Sequence, residues 1–162
     1  MIFKELLSKL SACSDAREWA GDMTIEDVIT KCHRGDWLLW LAKRVDIGDR
    51  KLTLAKAHCA NTVRHLMKAE RSVKAVDAAL GYGNGHITKE ELNAAYADAY
   101  AAAAYSADAY AADAAYAAAY AADAADAAAA RKQNQMQTAD ICREIIGEEI
   151  ISRVNEILKD KQ

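Results

Sequence analysis

Six residues of types that bind zinc lie in the first half of the chain, several of them as neighbours. They are Cys13, Cys32, His33, His58, Cys59 and His65. Zinc sites usually space their ligands as C-x-x-C or H-x-x-x-H, because these spacings bring two donors to one ion. Neither spacing occurs here, and His58 and His65 are two helical turns apart, too far to share an ion without a third element. The sequence therefore predicts buried thiols and surface histidines, with no metal and no cofactor.

The run Gly81-Tyr82-Gly83-Asn84-Gly85 has the glycine density of a phosphate-binding loop. A dinucleotide-binding loop must follow a β-strand, whereas this run is predicted to join two helices. We interpret it as a connector, with an anion site at the next helix N-terminus as the alternative. The sequence shows no Ser/His/Asp set, no nucleophile elbow and no clear pair of catalytic carboxylates. No catalytic residue is predicted, and a non-enzymatic role is favoured.

The segment 43–74 is basic, with nine basic and three acidic residues. Arg64, Lys68, Arg71 and Lys74 follow helical spacing and could contact phosphates. No aromatic residue is interleaved with them, and the whole chain has a net charge of -3. Nucleic-acid binding is therefore the less favoured interpretation. A solvated stripe, or one that faces aspartates of the same chain, is favoured.

Residues 94–130 consist of 25 Ala, six Tyr, five Asp and one Ser, and contain no basic residue. Alanine is the strongest helix former, so this tract is predicted to be helical. At ~100° per residue, Tyr96, Tyr100 and Tyr110 share one face, and the other tyrosines and all five aspartates share the opposite face. Two interpretations remain open for that second face: a solvated outer surface of a central helix, or a recognition surface.

The residues that would form such a recognition surface are Tyr105, Asp113, Tyr116, Tyr120 and Asp123. Their carboxylates have no cation on the same helix, so a basic protein could supply complementary charge. The tyrosine rings could act as apolar anchors between the carboxylates. We therefore predict that this Tyr/Asp arc binds a protein partner.

Short helices are predicted for 1–80, separated by Gly21, Gly35 and Gly48 and capped by Ser14, Thr24, Asp36 and Asp49. The helix from Asp49 is predicted to reach residue 68, and a further helix is predicted near 72–80. Thr88 and Glu91 form a capping box that begins the Ala-rich helix 88–130, which is either straight or bent. A last helix, 138–160, is capped by Thr138 and has an inner face of Ile141, Ile145, Ile151, Val154 and Leu158. Trp37 and Trp40, on one helix face, are predicted to lie in the core.

The absence of proline and the low content of β-branched residues favour an all-α fold in a single domain, 1–162. Charged residues interrupt the apolar positions of the N-terminus, which is unlike a secretory signal. The Ala-rich tract has no uninterrupted apolar run of the roughly 20 residues that a membrane span needs. Widely spaced cysteines suit free thiols in a reducing compartment. We therefore expect a soluble, cytoplasmic protein with no membrane partner.

The block Trp37-Leu38-Leu39-Trp40-Leu41 resembles the Trp-Leu-x-Trp-Leu block of a group of bacterial immunity proteins, the immunity-five-like domain. Further similar features follow in the same order: Cys59-Ala60, Arg71-Ser72 ahead of Ala75 and Ala78, and Gly85 with Thr88, Glu91 and Leu92 before the Ala/Tyr/Asp tract. The resemblance covers most of the chain. It implies an all-helical protein encoded in toxin-immunity loci and in phages, and it carries over no binding residue.

These observations together predict a multi-helix bundle, with short N-terminal helices around a long Ala/Tyr/Asp-rich helix and a C-terminal helix. The favoured function is non-enzymatic protein binding, in which the protein neutralises a toxin by direct contact. The alternatives are a phage-encoded factor that binds a host protein, and a nucleic-acid-binding protein that uses 43–74. The sequence leaves the oligomeric state open.

Overall fold

A computed structural model describes residues 1–102 and 127–160, and these ranges contain eight α-helices, one 3₁₀ turn and no β-strand. The predicted all-α class is therefore confirmed. The helices are α1 (Phe3–Lys9), α2 (Ser14–Ala20), α3 (Ile25–Lys31), α4 (Gly35–Arg44), α5 (Asp49–Asn61), α6 (Glu70–Gly83), α7 (Lys89–Ala102) and α8 (Ala127–Lys159). The 3₁₀ turn is Arg64–Leu66.

Helix α8 is the element around which the N-terminal helices pack. Its fully buried stripe repeats about every fourth residue, as expected for one face of a helix. The stripe consists of Ala139, Cys142, Ile146, Ile150 and Val154. This face packs against α1, α3, α4 and α5. Of the five residues predicted for the inner face, only Val154 is fully buried, and the other four are partly buried beside the stripe.

Two arginines of α8 bind the C-terminal ends of shorter helices. Arg143 donates from Nε to the carbonyl oxygen of Ile29 at 2.7 Å and from Nη2 to that of Cys32 at 2.9 Å. Arg153 donates from Nε to the carbonyl oxygen of Val45 at 3.2 Å. The last carbonyls of a helix have no partner within it. The arginines therefore satisfy the ends of α3 and α4 and fix their positions on α8.

Two of the predicted N-caps are confirmed. The hydroxyl oxygen of Thr24 accepts a hydrogen bond from the backbone N–H of Asp27 at 3.2 Å. The Thr88 hydroxyl accepts from the N–H of Glu91 at 3.2 Å, and a Glu91 carboxylate oxygen accepts from the N–H of Thr88 at 2.7 Å. This reciprocal pair is a capping box, and it begins α7 as the sequence predicted.

Three other predicted caps are wrong, because Ser14, Asp36 and Asp49 lie in the first turn of their helices. The N-cap positions are held by Cys13, Arg34 and Gly48, and none of them makes a side-chain cap hydrogen bond. Asp36 and Asp49 have cationic partners instead, Arg34 and Lys89. Acidic side chains in a first turn also interact favourably with the helix dipole.

Thr138 does not begin the last helix, because α8 already runs from Ala127 and continues through this position. Its buried hydroxyl donates to the carbonyl oxygens of Asn134 and Gln135, at 2.9 and 3.1 Å. The hydrogen-bonding need of Thr138 is thus met inside the helix. Its side chain packs against Gly35, where a Cβ atom would lie 2.6 Å from the Thr138 carbonyl carbon. The glycine therefore permits the close contact of α4 with α8.

The glycine-rich run does not end α6 where the sequence predicted, since the helix continues to Gly83. A Cβ atom on Gly83 would lie 2.6 Å from the Cβ of Leu54, so this glycine lets α6 approach α5 closely. Helix α5 ends at Asn61 rather than at residue 68. The segment 43–74 is consequently divided among α4, α5, α6 and the turns between them, and its four spaced cations do not share one helix.

Three of the four cysteines, Cys32, Cys59 and Cys142, are buried free thiols, as predicted, whereas Cys13 is exposed. In the Ala-rich tract, residues 103–126 lie outside the described residues, so the question of a straight or bent 88–130 helix lies outside them too. Tyr96, at the described start of the tract, packs inward beside Leu92 and Tyr82. None of the helices in the described part of the chain has the length and apolar composition needed to cross a membrane.

Candidate functional site

A groove with a volume of about 720 Å³ lies between α4 and the wall formed by α1 and α2. Its aromatic lining consists of Phe3, Trp19, Trp37 and Trp40. All three tryptophans of the protein are therefore in this one groove. Each of them is half-buried within the described residues, so part of each ring is accessible from the groove. Sites that bind ligands are typically concave, mostly apolar and of this size.

Helix α4 places two of the tryptophans, and α2 places the third. The ring centroids of Trp19 and Trp37 are 5.9 Å apart with planes tilted by 56°, and His33 contacts both rings. Trp40 follows Trp37 by three residues and so lies on the same side of α4. The contacts of Trp19 and His33 hold the Trp37 ring in place, which makes this part of the groove preorganised.

Arginine side chains cover faces of the two α4 tryptophans. The guanidinium of Arg34 lies 4.6 Å from the Trp37 ring centroid, and that of Arg44 lies 5.5 Å from the Trp40 centroid. Arg34 also donates to both carboxylate oxygens of Asp36, at 2.8 and 2.5 Å. These hydrogen bonds raise the pKa of Arg34 above its usual value. Asp36 and Arg34 thus neutralise each other at one end of the groove.

The remaining charges that line the groove are positive. Lys43 on α4 is exposed and Lys56 on α5 is half-buried, and both border the groove. Neither forms an ion pair with any described residue. The four charged lining residues therefore sum to a local net charge of +2, from three cations and one carboxylate. The lining of the groove is thus mostly apolar and carries a net positive charge.

Two groups of the lining that could take part in chemistry, Cys32 and Asp36, are held by neighbours, whereas the Cys13 thiol is exposed. Cys32 lines the groove, but burial raises the pKa of this thiol, so it stays protonated at neutral pH. Its Sγ donates to the carbonyl oxygen of Arg34 at 3.4 Å. The single carboxylate of the lining, Asp36, is held by Arg34. Among the described residues there is no group of three His, Cys, Asp or Glu side chains able to hold a metal.

The five predicted binding residues lie outside the described residues, so the arc of Tyr105, Asp113, Tyr116, Tyr120 and Asp123 stays a prediction. Trp37 and Trp40, which the sequence placed in the core, are partly buried against it and also border the groove. The spacing of Trp37, Trp40 and Arg44 over two turns was the available signal for this face. The contribution of Trp19 could not be predicted, because this residue comes from a different helix.

The basic segment 43–74 is partly neutralised within the described residues. Arg64 forms a two-point ion pair with Asp77 of α6, with distances of 2.5 and 2.9 Å. Lys74 pairs with Glu70 at 2.9 Å. Arg71 keeps one buried guanidinium nitrogen, Nε, without a hydrogen-bond partner among the described residues. The four spaced cations therefore do not form one continuous stripe, and the groove is the stronger candidate site.

Comparison with known proteins gives no further guide to this groove. No family model, no curated protein and no solved structure matches the chain.

Proposed function

We propose that the protein is a non-enzymatic binding module that holds a protein partner in the groove of Trp19, Trp37 and Trp40. The observation that carries this proposal is the convergence of all three tryptophans of the chain on one open groove. Tryptophan is among the residues that contribute most binding energy at protein interfaces, because its large ring is rigid and apolar. The three rings pack against the larger core with one part and leave another part accessible from the groove.

Neutralisation of a toxin is the role that we propose for this binding. The block Trp37-Leu38-Leu39-Trp40-Leu41 carries the resemblance to bacterial immunity proteins, and all five residues line the groove. Direct sequestration requires a surface and no reaction chemistry. The protonated Cys32 thiol and the paired Asp36 fit this requirement, since neither is available as a nucleophile or base.

Substitution of a small residue in the groove tests the proposal without removing a packed side chain. Ala16 is half-buried on α2 and lines the groove, so Ala16→Arg fills the space that a partner would enter. Ala130→Arg is the matched control, because Ala130 is exposed on α8. We expect a protein from the source cell to be retained by the unmodified protein and by Ala130→Arg, and to be lost from Ala16→Arg.

The retained protein is then expressed alone and together with the unmodified protein. We expect growth arrest in the first case and normal growth in the second, with Ala16→Arg failing to protect. A retained protein that does not arrest growth would exclude toxin neutralisation and support the binding of a host protein. Equal retention by Ala16→Arg and Ala130→Arg would show that the groove is not the binding site.

A further inference from the structure

We infer that the groove takes a short acidic amphipathic helix, whose apolar side chains enter between the tryptophans and whose carboxylates meet Lys43 and Lys56. This inference rests on the proposed function and names the chemistry of the partner segment. It follows from three features of the groove: its length along α4, its uncompensated charge and the ring faces that are already covered.

The length of the groove matches two turns of a helix. Residues 36–43 of α4 border it except at Ala42, and eight residues span about 10 Å at 1.5 Å per residue,. Helices that dock in apolar grooves insert side chains at positions i, i+3 or i+4 and i+7, which cover the same distance. Leu39 and Trp40 lie midway along this wall, opposite α1 and α2. A two-turn helix therefore matches the length of α4 that borders the groove,.

The charge of the groove selects the sign of the docked helix. Lys43 and Lys56 form no ion pair with a described residue, although Asp49 lies close enough to Lys56 for its pKa to be lowered in part by that lysine. Asp36, in contrast, is fully engaged by Arg34. A basic helix would place like charges beside both lysines, and an uncharged one would desolvate them without compensation. Carboxylates on either side of the apolar anchors would instead complete two ion pairs. The acidic helix is thus the occupant that the rim favours.

The tryptophan rings favour a helix over single-stranded nucleic acid. Stacked bases require free ring faces. Guanidinium groups already cover one face of Trp37 and one face of Trp40, and the Trp19 and His33 rings contact Trp37 as well. What remains accessible suits aliphatic and aromatic side chains that approach ring edges. Single-stranded RNA therefore becomes an alternative outcome of the experiment.

The test uses two synthetic peptides of about 16 residues, long enough for roughly four helical turns. Both carry Leu and Phe anchors at i, i+4 and i+7 and no Trp, and they differ only in having Glu or Lys at the flanking positions. The intrinsic fluorescence of the protein reports binding, because all three tryptophans lie in the groove. We expect the Glu peptide to bind about tenfold more tightly than the Lys peptide, with the difference shrinking in salt.

A double charge reversal, Lys43→Glu with Lys56→Glu, is expected to invert this preference. The matched control is Lys68→Glu with Lys132→Glu, which changes the net charge equally at exposed positions outside the groove lining. The control is expected to keep the preference for the Glu peptide. Circular dichroism on both variants shows that they are folded, so a lost preference is not a lost fold.

Four outcomes of the peptide experiment would overturn the inference. They are equal binding of both peptides, a preference unchanged by Lys43→Glu with Lys56→Glu, tighter binding of an oligouridine than of the Glu peptide, and exclusion of both peptides by a dimer that the double reversal dissociates. The proposed function is overturned by a separate result, in which no cellular protein is retained by the unmodified protein and lost from Ala16→Arg. A cellular partner lost in Ala16→Arg but retained after the charge reversal would keep the function and reject the acidic helix.

Discussion

Among the described residues, two adopt the left-handed backbone conformation although neither is glycine. Ser11 has φ +62° and Asp46 has φ +61°, directly after α1 and α4. In both places the N–H groups of this residue and of the next one donate to backbone carbonyl oxygens of the preceding helix. Ser11 donates to Ser8 and Ala12 to Leu7, and Asp46 donates to Lys43 and Ile47 to Ala42. This is the Schellman arrangement, in which glycine is normally favoured. The buried Ala12 and Ile47 that follow hold both turns in place.

Glycine at these two positions is expected to stabilise the protein. A side chain in the left-handed region costs about 1 kcal/mol, so Ser11→Gly and Asp46→Gly should each raise the free energy of unfolding by up to about 1 kcal/mol. Urea denaturation measures the change. Ser14→Gly is the matched control, because Ser14 lies in the first turn of α2 and glycine there should destabilise,. A loss of stability in Ser11→Gly as large as in the control would contradict this account.

At the scale of the helices, α5 and α6 pack closely, and two glycines of α6 differ in whether this packing depends on them. A Cβ on Gly83 would lie 2.6 Å from the Leu54 Cβ, whereas a Cβ on Gly81 would contact Ile87 at an ordinary 3.6 Å. We expect Gly83→Ala to destabilise by roughly 1–3 kcal/mol through overpacking. Gly81→Ala should stabilise by up to about 1 kcal/mol, because alanine favours the helix. Thermal unfolding of both variants checks the signs, and a gain in Gly83→Ala would show that the helices can separate without cost.

A polar cluster joins α5, α6 and α7 and makes their packing depend on pH. A carboxylate oxygen of Asp49 accepts from Lys89 Nζ at 2.5 Å and from the Tyr82 hydroxyl at 2.9 Å. These bonds, that of Lys89 first, lower the pKa of Asp49 below its ordinary 3.8. The unfolded chain therefore binds this proton more readily than the folded one. The contribution of Asp49 to the free energy of unfolding is present above about pH 4 and is lost as the pH falls through the lowered pKa.

Asp49→Asn is accordingly expected to reduce the free energy of unfolding near neutral pH, and this effect is expected to shrink as the pH falls through the lowered pKa of Asp49,. The effect should be below about 1 kcal/mol, because the pair is largely exposed to solvent,. Chemical denaturation across this pH range measures the difference. Glu148→Gln is the control, since Glu148 is exposed and has no ion pair with a described residue. A constant difference between Asp49→Asn and the unmodified protein at all pH values would argue against the linkage.

Sequence reasoning succeeded for elements where the signal was local and failed where it came from a distant contact. Thr24 and the pair Thr88 and Glu91 begin helices as predicted, because a cap is a hydrogen bond within four residues. Gly83 looked like a breaker, but its role depends on Leu54 of another helix. Thr138 looked like a cap, but the preceding residues already formed a helix. The groove required Trp19 and Trp37 to meet across two helices, which no local pattern specifies.

On the scale of the whole molecule, the buried apolar residues of the described ranges form three clusters of unequal size. The largest one joins α8 to α1, α3, α4 and α5 and supports the tryptophan groove. A smaller one, built from Ala57, Ala79, Tyr82 and Leu92, joins α7 to α5 and α6. A third cluster, Ala60 with Val76, lies between α5 and α6. Because burial of apolar area is the main source of stability, the larger core and the core around Leu92 should open at different free energies. The groove then rests on the more stable part.

Hydrogen exchange measured by mass spectrometry should therefore show a gradient across the helices. We expect the slowest amides in α8 between Cys142 and Val154, where the buried stripe is inaccessible to solvent, and much faster exchange in α7, whose buried anchor is Leu92,. The Gly83→Ala variant sharpens the test, because it strains the smaller core directly. It should accelerate exchange in α6 and α7 while leaving the centre of α8 protected. Equal acceleration in all three helices would mean that the two cores unfold as one cooperative unit, and the tryptophan groove would then lose its separate, more stable base.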